Sequence, residues 1–214
     1  MLGSFARVVT FLVVALVSVD AIATSSADEL VHQAQAHELA REPDVAARRY
    51  MEALSVDPSH AAAWLGLGAL RLKLDDAAEA ERVYNAALRH LPSLAPAMAG
   101  RARARWRLGQ HRAAELDMET YAAGSDDADA VRELSSWYAT DGRLPAQLAL
   151  WRRRLASVAQ RNDRNGVREA RTIVLALMVL VDGADPVTRS IEPDATRIAL
   201  AAIARRCFAD RQSP

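Results

Sequence analysis

Few residues of this chain are placed to do chemistry. His37-Glu38 opens like the helix of a zinc protease, where two histidines four residues apart share one face with the metal. Arg41 stands where the second histidine would be needed. Histidines 32, 60, 90 and 111 are scattered, and the last three fall at or near turns, where a solvated ring is the ordinary reading. No serine sits in a Gly-x-Ser-x-Gly turn. No glycine loop is built to cradle phosphate, and Gly66 and Gly68 lie inside a helical pattern, where they serve packing. Gly124-Ser125-Asp126-Asp127-Ala128-Asp129 is acidic but lacks the spacing and distal glutamate of a calcium loop. It reads as a loop and helix cap. Cys207 is the only cysteine, so neither an intrachain disulfide nor a thiolate cluster can form. It reads as a small half-buried residue late in an apolar helical pattern. With no nucleophile–base pair or metal set, the expectation is a protein without catalysis and without cofactors.

The elements that carry these residues are helical. Hydrophobic residues make up 51% of the 214, yet aromatics only 5%, so alanine and leucine supply the apolar mass and favour packed helices over a β-sandwich. Glycine and proline are too sparse for long disordered tracts. The length fits one domain, or one domain with a tail. Formal net charge is zero, which argues against a uniformly basic nucleic-acid binder. Nearly all the basic residues are arginine; Lys73 is the only lysine.

Internal self-similarity is the strongest signal. Arg49 to Pro58 (Arg-Tyr-Met-Glu-Ala-Leu-Ser-Val-Asp-Pro) matches Val83 to Pro92 (Val-Tyr-Asn-Ala-Ala-Leu-Arg-His-Leu-Pro), with tyrosine, alanine, leucine and proline in register at an offset of 34. Between the two prolines lies Ala61-Ala62-Ala63-Trp64-Leu65-Gly66-Leu67-Gly68. A tryptophan followed by leucine and glycine, then Ala80, Tyr84, Ala87 and Pro92 at a 34-residue period, resembles the tetratricopeptide repeat (TPR) family. The resemblance implies an all-α, TPR-type α-solenoid of antiparallel helix hairpins. Gly68 and Ala80 are small where paired helices approach, while Trp64, Leu67, Tyr84 and Ala87 fill the seam. Pro92 ends the second helix and turns the chain into the next unit.

Three repeats are expected, at 27–60, 61–94 and 95–128. The first keeps Ala46, Tyr50, Ala53 and Pro58, with Leu30 for the tryptophan and Ala34 for the glycine. The third keeps Ala102, Gly109, Ala114 and Tyr121, with Met98 and Met118 in aromatic places and Asp126 in that of the proline. A fourth, degenerate hairpin at 129–161 follows, split at Asp141-Gly142. The resemblance stops near Arg161. Residues 162–214 are expected to form C-terminal capping helices. One runs from Val167 to Val181, with Asp163 or Asn165 as its cap. Because Ile173 to Val181 is apolar all round, it is expected to be enclosed. A last amphipathic helix is expected from Pro193 to about Ala209, lying over it.

Residues 1–23 read as an export signal. Arg7 and the amino terminus precede a twelve-residue apolar run from Val8 to Val19, ended by Asp20. Ala21-Ile22-Ala23 offers small residues for cleavage before Thr24. The run is short of the roughly 20 residues a membrane span needs. An uncleaved signal-anchor, drawing Leu2 to Phe5 into the span, is the alternative. The expected location is the periplasm, or the inner membrane with the domain facing the periplasm.

In TPR proteins the first helix of each hairpin lines the concave groove. By that register the groove candidates are Gln35 and Glu38, then Leu65, Ala69, Leu72 and Lys73, then Arg103, Trp106 and Arg107, and Trp137 in the fourth pair. Aromatic and arginine side chains are enriched among residues that carry binding energy, and arginine grips a carboxylate bidentately. The packing alternative leaves Trp106 and Trp137 between hairpins and Arg101, Arg103, Arg105 and Arg107 as a solvated helix. Val31 and Gln35 stand where chaperone-binding TPRs carry a lysine and asparagine clamp, so that role is not expected. The resemblance thus implies a scaffold or adaptor that binds a protein or peptide partner, and the export signal sets it in the bacterial cell envelope. The neutral charge balance leads us to expect no nucleic acid, and membrane contact is expected only through an uncleaved first segment. The alternatives are an inner-membrane accessory subunit and a homo-oligomer formed through the apolar C-terminal helix.

Overall fold

The computed structural model describes residues 26–182, and every regular element among them is a helix. In chain order these are α1 (26–39), α2 (Pro43–Val56), α3 (Ala61–Lys73), α4 (Ala77–His90), α5 (Ala95–Arg107), α6 (His111–Gly124), α7 (Ala128–Thr140), α8 (Leu144–Gln160) and α9 (Arg164–Asp182). The architecture is an all-α solenoid of helix hairpins. The expected export signal, the Pro193–Ala209 helix and Cys207 lie outside the described residues. Two compact units divide after Gly124.

Local chemistry stops and restarts each helix. Within a hairpin the first helix ends on a left-handed residue: Arg41 (φ 60°), Asp75 (φ 59°) and Gly109 (φ 74°), at 34-residue steps. Each closes a pair of carbonyl-capping bonds, as in Asp76 N–H to Arg71 O at 2.9 Å with Asp75 N–H to Leu72 O at 3.2 Å. Gly142 (φ 65°) and Asn162 (φ 58°) make the same turn in the second unit. Asp76 Oδ1 then caps α4 by accepting from Glu79 N–H, 3.2 Å. Asp127 caps α7 through Asp129 N–H and Ala130 N–H, which gives the acidic loop its role. Asp163 caps α9 through Gly166 N–H at 3.0 Å. Pro58 and Pro92 lie in the turns after α2 and α4.

In the first unit α2, α4 and α6 begin at 43, 77 and 111, a repeating step of 34. Two tyrosines organise its core. Tyr50 and Tyr84 are buried, and their rings lie in slots floored by glycine. A Cβ on Gly68 of α3 would come within 2.5 Å of the Tyr84 ring, and one on Gly100 of α5 within 2.2 Å. Gly66 leaves the same space for Tyr50, 2.5 Å. Any side chain at these places would drive a buried ring off its rotamer. Ala53, Ala80 and Ala87 are fully buried beside them, so helix axes approach closely. One apolar cluster joins Tyr50, Ala53, Leu67 and Val83. A second joins Leu72, Ala80, Tyr84 and Ala87 to Ala97 and Ala104 of α5. Trp64 is packed on both.

The second unit holds a buried polar knot. Gln147 Nε2 donates to Ser135 O at 2.8 Å and Trp151 Nε1 donates to Ser135 Oγ at 2.9 Å, fixing α8 on α7. Arg132 of α7 reaches Glu169 of α9 at 2.8 Å. Val174, Ala176 and Leu177 of α9 are buried, but Leu180 is 43% exposed. Among the described residues the enclosure expected for Ile173 to Val181 is thus present on one side. Its α8-facing side is covered, and the cover expected from the last helix lies outside the described residues.

Candidate functional site

The first helices of the hairpins in the first unit carry the candidate face. Gln35 is exposed, Leu65 and Ala69 are half-buried, and Leu65 rests on the second apolar cluster. Arg103 and Trp106 are half-buried as well. The Trp106 ring stacks on His111 with centroids 4.1 Å apart and planes 20° from parallel. This holds the indole flat against the start of α6.

The cations at the ends of α3 and α5 are tied back one repeat. Lys73 Nζ donates to Glu38 Oε2 at 2.6 Å, while Tyr50 Oη donates to Glu38 Oε1, also at 2.6 Å. Glu38 is thus a hub between α1, α2 and α3. Arg107, at the matching place on α5, donates to Leu72 O at the end of α3 and lies 3.4 Å from Asp75 Oδ1. A cation on a helix C-terminus satisfies an orphan carbonyl and opposes the macrodipole. The Lys73 and Arg107 side chains remain 67% and 45% exposed, so both still offer charge to a ligand.

Three expectations change. Leu72 is buried because α5 packs over it, so it lines no groove. Trp137 is buried within the second unit and lines no groove either. Glu38 is mostly covered, and its carboxylate is committed to Tyr50 and Lys73. The reading of four solvated arginines on α5 also changes. Arg101 grips Asp117 of α6 with two bonds, 2.7 and 2.8 Å, and reaches Asn85 of α4 at 3.0 Å. Arg105 bonds Glu81 of α4 and Asp117, each at 2.8 Å. Two arginines four residues apart face one way and bind α5 to its neighbours.

His60 is not a solvated turn histidine. Its Nδ1 accepts from Ala63 N–H at 3.2 Å as the cap of α3, and its Nε2 lies 2.8 Å from Asp28 of α1. Trp64 Nε1 donates to Pro58 O at 2.8 Å, and its ring stacks on His90, 5.6 Å between centroids. His37 Nδ1 pairs with Glu42, 2.6 Å. Among the described residues no group of three or more His, Cys, Asp or Glu is disposed to hold a metal. Nor is any of the described helices long and apolar enough to cross a membrane.

Burial raises the Tyr84 hydroxyl to about 12, partly opposed by the charge of Arg103. Burial, with the Glu38 carboxylate as neighbour, pushes Tyr50 further up. Both phenols stay neutral over the physiological range. Sequence reasoning missed Gly100, Asp117 and Asp75. Gly100 was findable, since it lies 34 residues after Gly66 and 16 after Tyr84, as Gly66 does after Tyr50. Asp117 was not, because the period puts Val83 at its counterpart.

Comparison with solved structures places the fold among TPR proteins. YrrB, described as a TPR protein with an unusual peptide-binding site, aligns with a TM-score of 0.55 and 17% identity, over 85% of this chain and 86% of its own. MamA from Desulfovibrio magneticus RS-1 aligns with a TM-score of 0.58 and 16% identity, over 88% and 98%. A tetratricopeptide repeat protein from Parabacteroides merdae ATCC 43184 aligns with a TM-score of 0.57 and 14% identity, over 86% and 74%. No family model matches the sequence, and no curated protein does.

Proposed function

We propose that this chain is a non-catalytic scaffold that captures a protein or peptide partner on the first-helix face of its repeats, after export to the bacterial cell envelope. One observation carries the reading. Half-buried Leu65 and Trp106 share the face with Lys73, Arg103 and Arg107, so apolar contact and positive charge lie side by side. Such a mixture suits an extended or helical peptide that presents apolar and acidic groups. The fold supports it, since in the first unit the first helices α3 and α5 lie against each other. The peptide-binding site named for YrrB belongs to a protein of the same fold.

Replacing Arg103 and Trp106 together by alanine tests the reading. Crosslinking and co-purification from the native envelope should lose the partner while the helical circular dichroism is retained. Undiminished capture would remove this face as the binding site. The export part of the proposal rests on the apolar run and the small residues before Thr24. Mass spectrometry of the mature terminus tests it. A chain starting at Thr24 supports a periplasmic protein, and an intact Met1 supports the membrane-anchored alternative.

A further inference from the structure

The α8–α9 hairpin departs from the charge balance of the chain. Formal net charge is zero overall, yet residues 144–182 carry seven arginines against three acids. Two of those acids are spent, Asp163 on the Gly166 N–H and Glu169 on Arg132. Of the arginines, Arg154 donates to Asp126 O at 3.2 Å and Arg161 pairs with the Asp126 carboxylate. The other five, Arg152, Arg153, Arg164, Arg168 and Arg171, are exposed and meet no hydrogen-bond or ion-pair partner among the described residues. Three of the five are ordered by the helix. Arg164, Arg168 and Arg171 follow one another at steps of four and three, so they form one row on α9. Leu175 and Met178 continue the row at the same steps and are half-buried. Ala170, Val174 and Leu177 carry the buried side of α9, and Glu169 turns to α7.

We propose that this exposed row docks an acidic amphipathic helix of a partner protein, at a surface other than the first-helix face of the first unit. Charge complementarity names the occupant. Like charges one turn apart repel, and carboxylates arriving from outside would relieve them. Each guanidinium can take a carboxylate with two parallel bonds. Alternating steps of four and three are the footprint of a second helix laid alongside. Leu175 and Met178 then call for apolar residues beyond the acids on the same face of the partner. A single row, basic in its first half and apolar in its second, suits a helix better than a flat anionic surface. The residues that follow α9, 183–214, hold five arginines against four acids, so they bring no surplus of negative charge to the row.

The test uses the full chain and a fluorescent, blocked helical peptide of alanine and glutamine. The peptide carries three glutamates and two leucines at the same steps of four and three, and is made in both chain directions. Anisotropy should show saturable binding in one direction. The version with glutamine for glutamate should bind about tenfold more weakly, the sum expected of three partly exposed ion pairs. Arg164→Glu, Arg168→Glu and Arg171→Glu together should abolish binding of the glutamate peptide and create binding of a lysine peptide of the same pattern. That exchange also shows the variant to be folded. Arg152→Gln with Arg153→Gln on α8, and Arg103→Ala with Trp106→Ala on α5, should each leave the affinity nearly unchanged. No binding of the glutamate peptide, equal binding of the glutamine version, or no gain of the lysine peptide would overturn the site. An equal loss in the α8 or α5 variant would overturn it too. Phosphatidylglycerol vesicles bound through the same three arginines, with neither peptide bound, would give the row to a membrane surface instead.

Discussion

Tyr84 shows how single residues fix the distance between helices. Its ring is confined by Gly68 and Gly100, and a methyl group at Gly100 would lie 2.2 Å from Cζ. Gly100→Ala should therefore destabilise the protein by ~1–3 kcal/mol, measured by denaturant unfolding. Gly109→Ala meets no steric obstacle, and strains only the left-handed turn. Its cost should be the smaller one, about 1 kcal/mol. The same burial makes Tyr84 a pH reporter. Its hydroxyl is raised from 10.0 to about 12. The folded state therefore holds the proton more tightly than the unfolded chain. The stability from this group is complete below pH 10 and is lost as pH rises toward 12, by roughly 2–3 kcal/mol in all. Urea midpoints across that range should fall less steeply in Tyr84→Phe than in the parent. Equal slopes would show that the phenol is not held neutral by the fold.

At the scale of the element, turn and network obey different rules, and this decides what the sequence could reveal. The turn that ends each first helix needs a left-handed residue. Gly109 meets that need, while Arg41 and Asp75 adopt φ near 60° as ordinary residues. Arg41→Gly should stabilise the protein by about 1 kcal/mol, read as a higher thermal midpoint, because the left-handed strain of a side chain disappears. The helices and their period were legible because tyrosine, alanine and proline recur with the backbone. The ion network was not, because one repeat earlier Asp117, Glu81 and Asn85 have Val83, Ala47 and Met51 as counterparts. Nothing in a four-arginine helix tells which pair turns inward until α4 and α6 are placed beside it. Asp117→Ala leaves two partly buried arginines short of a partner and should cost about 2–4 kcal/mol. Glu52→Ala removes only the exposed pair with Arg49 and should change stability by less than ~0.5 kcal/mol.

For the molecule as a whole, the repeat gave a fold and a face, but the face had to be pruned by packing. Leu72 and Trp137 share the register of groove residues yet are covered, Leu72 because the next first helix lies on it. Gln35, Leu65, Lys73, Arg103, Trp106 and Arg107 remain exposed or half-buried. The proposed partner lies along these first helices. The most direct measurement is site-specific photocrosslinking in cells that make the protein, with the reactive group placed in turn at Gln35, Leu65 and Lys73. Arg89 and Leu116, both exposed on second helices, serve as controls. One discrete adduct from the three first-helix positions, absent from both controls, is the predicted result. Adducts that form equally from all five positions, or only from the second helices, would contradict it.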